Sequence, residues 1–288
     1  MLAALVATLI ASSWQLASRH GVTTNLGPLD LALMRYGIPA LLLCPLHFRK
    51  GFEVPKGAPR IALVLLVLGG GLPFGLLVLA GARWAPASHI GVFMAGSIPL
   101  FTALGGRLFK GQTVTRCRLL GLGAIGCGML VFSIGNFGDA TSTWPGDLLL
   151  LAASVLWSAY SLSFRLTQLT PWQAAAFFNG CSSVLLVPLL LIVGVPRLLT
   201  APWNDVVLQA LGQGVVAGVL GLVAYTAAIA RLGPARASLS TALVPVMTAL
   251  GGTWMLDEQL TTPTLWALAL VVPGIAVATG ALERIAGK

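Results

Sequence analysis

The chain has 288 residues, 57% of them hydrophobic and 9% charged, with a formal net charge of +9 and a mean hydropathy of +0.92. That composition leaves too little polar surface to cover a water-soluble globule of this length and points to an integral membrane protein. Barrel strands would alternate apolar with polar residues, and no long stretch does so, which leaves an all-α fold.

A hydrocarbon core roughly 30 Å thick takes about 20 helical residues to cross. Apolar stretches of that order run Leu2–Ser18, Leu29–His47, Ile61–Ala82, Ala87–Phe109, Leu119–Ile134, Asp147–Phe164, Gln173–Val193, Val207–Ala230, Ala235–Leu256 and Thr264–Ala281. Ten transmembrane helices are predicted.

In the first segment, Trp14 falls toward the interior with Gln15 and Ser18 beside it. The sixth repeats the arrangement with Trp157, Ser158 and Ser161. Aromatic and small polar groups combined in this way suit a neutral or zwitterionic solute with an apolar side chain, although packing is an equal alternative. Tyr160, Asn179, Tyr225, Ser97, Ser240 and Thr241 are second-line cavity candidates, because isolated hydroxyls in membrane helices often bond to their own backbone.

The second segment holds Arg35, seven residues past Pro28 and so roughly 10 Å deep. A charge at the membrane centre costs about 2.5 to 3.5 kcal/mol on insertion scales. Arg35 therefore snorkels to Asp30, meets a substrate carboxylate or acts in gating. His89, at the start of the fourth segment, is either a polar interfacial residue or a group that couples transport to protons.

The third segment is interrupted by Gly69, Gly70, Gly71 and Pro73, and the eighth carries Gly212, Gly214, Gly218 and Gly221. Such residues bend helices or open carbonyls toward a cavity, and equally they permit close small-residue packing. Pro99 and Pro245, near the middle of the fourth and ninth segments, are hinge candidates.

No carboxylate lies near a helix midpoint, so neither an acidic proton relay nor a metal site is expected. Cys44, Cys117, Cys127 and Cys181 lack zinc-ligand spacing. No P-loop is present, and no cofactor is expected. The expected partners are the lipid bilayer and a small-molecule substrate, and no nucleic acid.

With a cytoplasmic N-terminus, 13 of the 17 basic residues fall in inner loops, Arg19, Arg83 and Arg197 lie outside, and Arg35 is within a segment. The positive charge is thus an orientation signal that puts both termini inside.

The chain also repeats itself. An offset of 146 carries Pro99, Thr102, Ala103, Leu104, Gly105 and Gly106 onto Pro245, Thr248, Ala249, Leu250, Gly251 and Gly252. An offset of 143 carries Trp14, Pro28, Gly37 and Pro45 onto Trp157, Pro171, Gly180 and Pro188. Residues 1–143 and 144–288 are read as two five-helix units. An odd number of crossings per unit turns the second copy upside down. The loops agree, since Arg107, Lys110, Arg116 and Arg118 map onto Thr253, Leu256, Thr262 and Thr264, beside Asp257 and Glu258. Two inverted-topology repeats are expected, with the substrate site near the midplane between them.

Trp14, the second-segment run from Pro28 to Arg35, Pro86-Ala87-Ser88, Pro99, Gly121 and Gly128 occur in order in the first half. Trp157, Pro171, Leu232 to Ser238, Pro245, Glu258 and Gly274 follow in the second. In this ordered doubling the chain resembles the drug/metabolite transporter superfamily, specifically its EamA-type members, and within them the YddG-type amino-acid exporters. Gln112 departs from the pattern, standing where the family has the acid retained as Glu258. The resemblance implies a bacterial inner-membrane exporter of amino acids or related small metabolites, with its path through the middle of a two-fold pseudosymmetric bundle. Alternating access is the expected way of working, and an integral-membrane enzyme or a non-transporting scaffold subunit is the alternative.

Overall fold

A computed structural model describes residues 2–46, 57–135, 143–194 and 197–280. These residues form helices and turns without strands. In chain order they make α1 (Leu2–Thr23), α2 (28–42), α3 (Arg60–Trp84), α4 (Ala87–Phe109), α5 (Arg116–Gly135), α6 (Trp144–Phe164), α7 (Pro171–Val193), α8 (Trp203–Leu232), α9 (234–256) and α10 (Thr262–Ala278). Helices α3 to α8 are long and apolar enough to cross a membrane, while Val244–Leu256 of α9 and all of α10 are shorter apolar helices. Leu120 on α5, Leu191 and Ile192 on α7 and Trp254 on α9 lie exposed on the bundle surface. In water such a surface would be a liability; against acyl chains it costs nothing.

Several rods are broken where glycine and proline stand. Helix α3 stops at Gly71, whose ψ of −153° leaves the helical region, and restarts at Leu72 with Pro73 in its first turn. Proline's missing N–H costs nothing there, because first-turn donors have no intrahelical acceptor. The freed groups are satisfied by neighbouring helices. Tyr36 of α2 donates its hydroxyl to the Gly71 carbonyl at 2.6 Å, and Ser182 of α7 accepts the Leu72 N–H at 2.9 Å. A wide-turn stretch, Ile90–Ala95, precedes the break in α4, where the helix resumes at Ile98 with Pro99 in its first turn. In α8 the wide turns run through Ala210–Gly221 without a break.

Local geometry repeats at the offset found in the sequence. Ser97 (φ −88°, ψ −9°) and Leu243 (φ −89°, ψ −8°) precede helices of 13 residues each. Those helices end in left-handed caps at Gly111 (φ 59°) and Asp257 (φ 54°). Glycine adopts that conformation freely, and aspartate is one of the few other residues that tolerate it. One residue on, Gln112 N–H bonds the Gly106 carbonyl at 3.2 Å and Glu258 N–H bonds the Gly252 carbonyl at 3.1 Å.

The packing is reciprocal as well. Helix α1 packs on α8 and α9, while α6 packs on α3 and α4; α2 meets α7 and α8, while α7 meets α2 and α3. The principal neighbour of α5 is α10. A β-carbon on Gly121 would lie 2.7 Å from the Gly274 carbonyl oxygen, and one on Gly128 would lie 3.1 Å from that of Ala267. As the number rises along α5 it falls along α10, so these helices run antiparallel. Gly135 against Pro263 extends the same register.

Candidate functional site

Between the two halves lies a cavity of about 70 Å³, room for a few waters. Its wall comes from α1 (Ile10, Ala11, Trp14, Gln15), α2 (Arg35), α3 (Phe74), α4 (Met94, Ile98), α6 (Trp157), α8 (Ala217, Gly221, Tyr225) and α9 (Thr241, Val244), with a few further apolar side chains. Both halves therefore contribute.

The two repeat-equivalent tryptophans are joined through Phe74. Its ring centroid lies 5.8 Å from that of Trp14 and 4.8 Å from that of Trp157. Trp157 continues the aromatic wall to Tyr160 at 5.0 Å and Tyr225 at 5.1 Å. Phe74 is the third residue of the helix that restarts after the break in α3. The Trp14 indole N–H donates to Gln213 Oε1 at 2.8 Å. Gln213 in turn donates to Ser18 Oγ at 3.0 Å and to Gln209 Oε1 at 3.3 Å, and Gln209 donates to the Ala17 carbonyl at 2.8 Å. This buried chain of amides fixes α1 against α8 and sets the Trp14 rotamer.

Arg35 is buried with its guanidinium carbon 4.9 Å from the Trp14 ring centroid and 5.9 Å from that of Tyr36. It makes no ion pair with Asp30, whose Oδ2 instead accepts the Gly27 N–H at 2.8 Å and caps α2. The snorkelling expectation is therefore corrected. Asp30 serves the helix start, where an acid complements exposed N–H groups, and Arg35 faces the cavity.

Of the sequence candidates, Trp14, Gln15, Arg35, Trp157, Tyr225, Thr241 and Gly221 line the cavity. Others sit in the packed frame. Ser158 donates to the Ile98 carbonyl at 3.2 Å, Tyr160 bonds Thr226, and Asn179 donates to the Ala175 carbonyl at 2.8 Å. Ser97 donates to the Phe93 carbonyl of its own helix at 2.5 Å. The side chain of Ser240 lies outside the described residues. Gly70 packs on Tyr160, Gly71 on Ser182, and Gly218 on Pro39. Pro73, Pro99 and Pro245 each stand in the first turn after an interruption.

His89 is buried, with Nδ1 2.7 Å from Asp147 Oδ1 and its ring 4.3 Å from that of Phe132. This places it away from the cavity wall. At the same end of the bundle, Arg19 Nε pairs with Glu258 Oε1 at 2.8 Å, and Arg19 Nη1 donates to the Ala82 carbonyl at 2.7 Å. Glu258 Oε2 accepts the Ala87 N–H at 2.7 Å. These bonds tie the end of α1 to the α3–α4 and α9–α10 connections.

The sequence reading missed Phe74, Met94, Ile98 and Gln213. Gln213 had a signal, since Gln209 and Gln213 stand four apart in an otherwise apolar run. The apolar three had none.

Comparison with known proteins accords with this architecture. The chain is 25% identical over 272 residues to the uncharacterized transporter YyaM of Bacillus subtilis (strain 168), covering 89% of this chain and 86% of that one. It is 25% identical over 223 residues to a probable terminal-alkyne amino-acid exporter of Streptantibioticus cattleyicolor, covering 76% and 73%. A solved crystal structure shares the fold with a TM-score of 0.68 at 24% identity, covering 99% of this chain and 97% of its own. The EamA-like transporter family matches twice, over residues 1–134 and 144–280. With both halves so matched, the chain belongs to the EamA-like transporter family, a multi-pass membrane transporter rather than an enzyme.

Proposed function

We propose that the protein is a ten-crossing carrier of two inverted five-helix repeats, residues 1–143 and 144–288, that moves small metabolites, amino acids foremost, outward across a bacterial inner membrane by alternating access. The observation that carries this reading is the cavity between the halves, walled by the equivalent residues Trp14 and Trp157 with Phe74 between them. The antiparallel pairing of α5 with α10 supports inversion, because equivalent helices related by a two-fold axis in the membrane plane must run in opposite directions. Amino acids are favoured by the mix of aromatic walls with a few polar groups, and by the likeness to a probable amino-acid exporter.

The bonds from Arg19 and Glu258 close the outer end in this reading, and the breaks before Pro99 and Pro245 are the flexible points about which the halves rock. No ATP chemistry is involved. Counterflow of labelled amino acids into liposomes holding the purified protein tests the proposal. Uptake above that of empty liposomes for at least one of them is expected. No stimulation across amino acids and other small metabolites would contradict it.

A further inference from the structure

Arg35 is 3% exposed and Gln15 is wholly buried, and both line the central cavity. Among the described residues, Nε and Nη1 of Arg35 and both amide atoms of Gln15 have no hydrogen-bond partner. A guanidinium carries five donors in a planar fork, and leaving buried ones unmet is costly. Stacking on Trp14 and Tyr36 offsets part of the charge's desolvation, but ring faces do not satisfy in-plane N–H groups.

Among the described residues, no carboxylate forms an ion pair with Arg35. The described lining contains no Asp or Glu. Asp30 caps α2 through Oδ2, its buried Oδ1 having no partner, Asp147 holds His89, Glu258 holds Arg19, and Asp205 accepts from Asn25. The cavity thus holds a fixed positive charge with open donors, beside the aromatic wall of Trp14, Phe74 and Trp157.

Resting on the carrier reading above, we infer that this site takes a solute with a carboxylate bound by Arg35, an apolar or aromatic tail laid on that wall, and no net positive charge. A planar fork matches a carboxylate with two parallel bonds, which gives orientation as well as affinity. Gln15 completes the site with either end of its amide. It donates N–H to the second carboxylate oxygen or, in a zwitterion, accepts from the ammonium group through Oε1. Organic cations and amidated amino acids are disfavoured, because neither brings a negative charge to offset Arg35 and most would add like charge beside it.

The test compares phenylalanine, 3-phenylpropanoate and phenylalaninamide as ligands of the purified full chain in detergent, by isothermal titration. The two carboxylates should bind about tenfold or more tightly than the amide, as expected when a charge-assisted hydrogen bond is lost. Arg35→Gln should abolish that preference, and Arg35→Lys should keep part of it. Equal binding of acid and amide, absence of binding by both carboxylates, or an intact preference in Arg35→Gln overturns the inference. The wild-type comparison needs no folded variant. Counterflow measured in parallel separates the two claims: carboxylate-selective binding without transport removes the carrier reading and leaves the site, whereas transport that ignores the carboxylate removes the site alone.

Discussion

Gly121 and Gly274 face each other across the α5–α10 contact, each so close that a β-carbon on it would come within 2.7 to 2.9 Å of the other's carbonyl oxygen. The relation is mutual, as it must be where two equivalent helices cross in opposite directions. It also yields the sharpest stability prediction. Gly121→Val or Gly274→Val should destabilise the protein by about 1 to 3 kcal/mol through overpacking. On the same helix Gly123 and Gly126 have open space where a β-carbon would stand, so alanine there should leave stability unchanged or raise it, since alanine is the better helix former. Thermal unfolding in detergent separates the two sets.

The break in α3 is held by two side chains. Tyr36→Phe removes the donor to the Gly71 carbonyl, and Ser182→Ala removes the acceptor of the Leu72 N–H. Each should cost about 1 to 3 kcal/mol, the penalty for an unmet buried polar group. Because Phe74 follows the break, transport should fall more than stability alone accounts for. Variant transport rates, normalised to folded protein, decide this.

Arg19 and Glu258 hold each other at 2.8 Å with less than a fifth of either side chain exposed. A double-mutant cycle with Arg19→Ala and Glu258→Ala should therefore give a coupling energy of about 1 kcal/mol or more, above the usual value for an exposed pair. Glu258→Gln should also make a cysteine placed at Ala87 label faster with a water-soluble thiol reagent, since the Ala87 N–H loses its charged acceptor. An unchanged labelling rate would show that this cluster is not a closure.

Trp14→Phe keeps an aromatic ring against Phe74 but loses the N–H donated to Gln213, whereas Trp14→Ala loses both. The phenylalanine variant should transport at an intermediate rate, and Trp14→Ala or Trp157→Ala should reduce counterflow severalfold with membrane insertion intact. Normal counterflow with both tryptophans replaced by alanine would remove them from the pathway.

How much of this was legible in the sequence follows from what each signal depends on. The doubling, the apolar segments and the breaks at Gly71, Pro99 and Pro245 were legible, because repeated residues and backbone-breaking residues act locally. Trp14 and Trp157 were found through their equivalence. Phe74, Met94 and Ile98 were not, because a helix apolar on every side carries no pattern that distinguishes its inward face from its lipid face. Arg35 was visible as an anomaly, yet its direction depended on Asp30, which turned out to be engaged in capping its own helix.

The most direct measurement uses Ala217, a buried residue of α8 on the cavity wall. In a chain with Cys44, Cys117, Cys127 and Cys181 replaced by alanine, Ala217→Cys is reacted with a bulky thiol reagent and counterflow is followed. Modification should stop transport, and substrate should slow the modification. Stoichiometric modification with transport unchanged would mean that the solute does not pass through the cavity between Trp14 and Trp157.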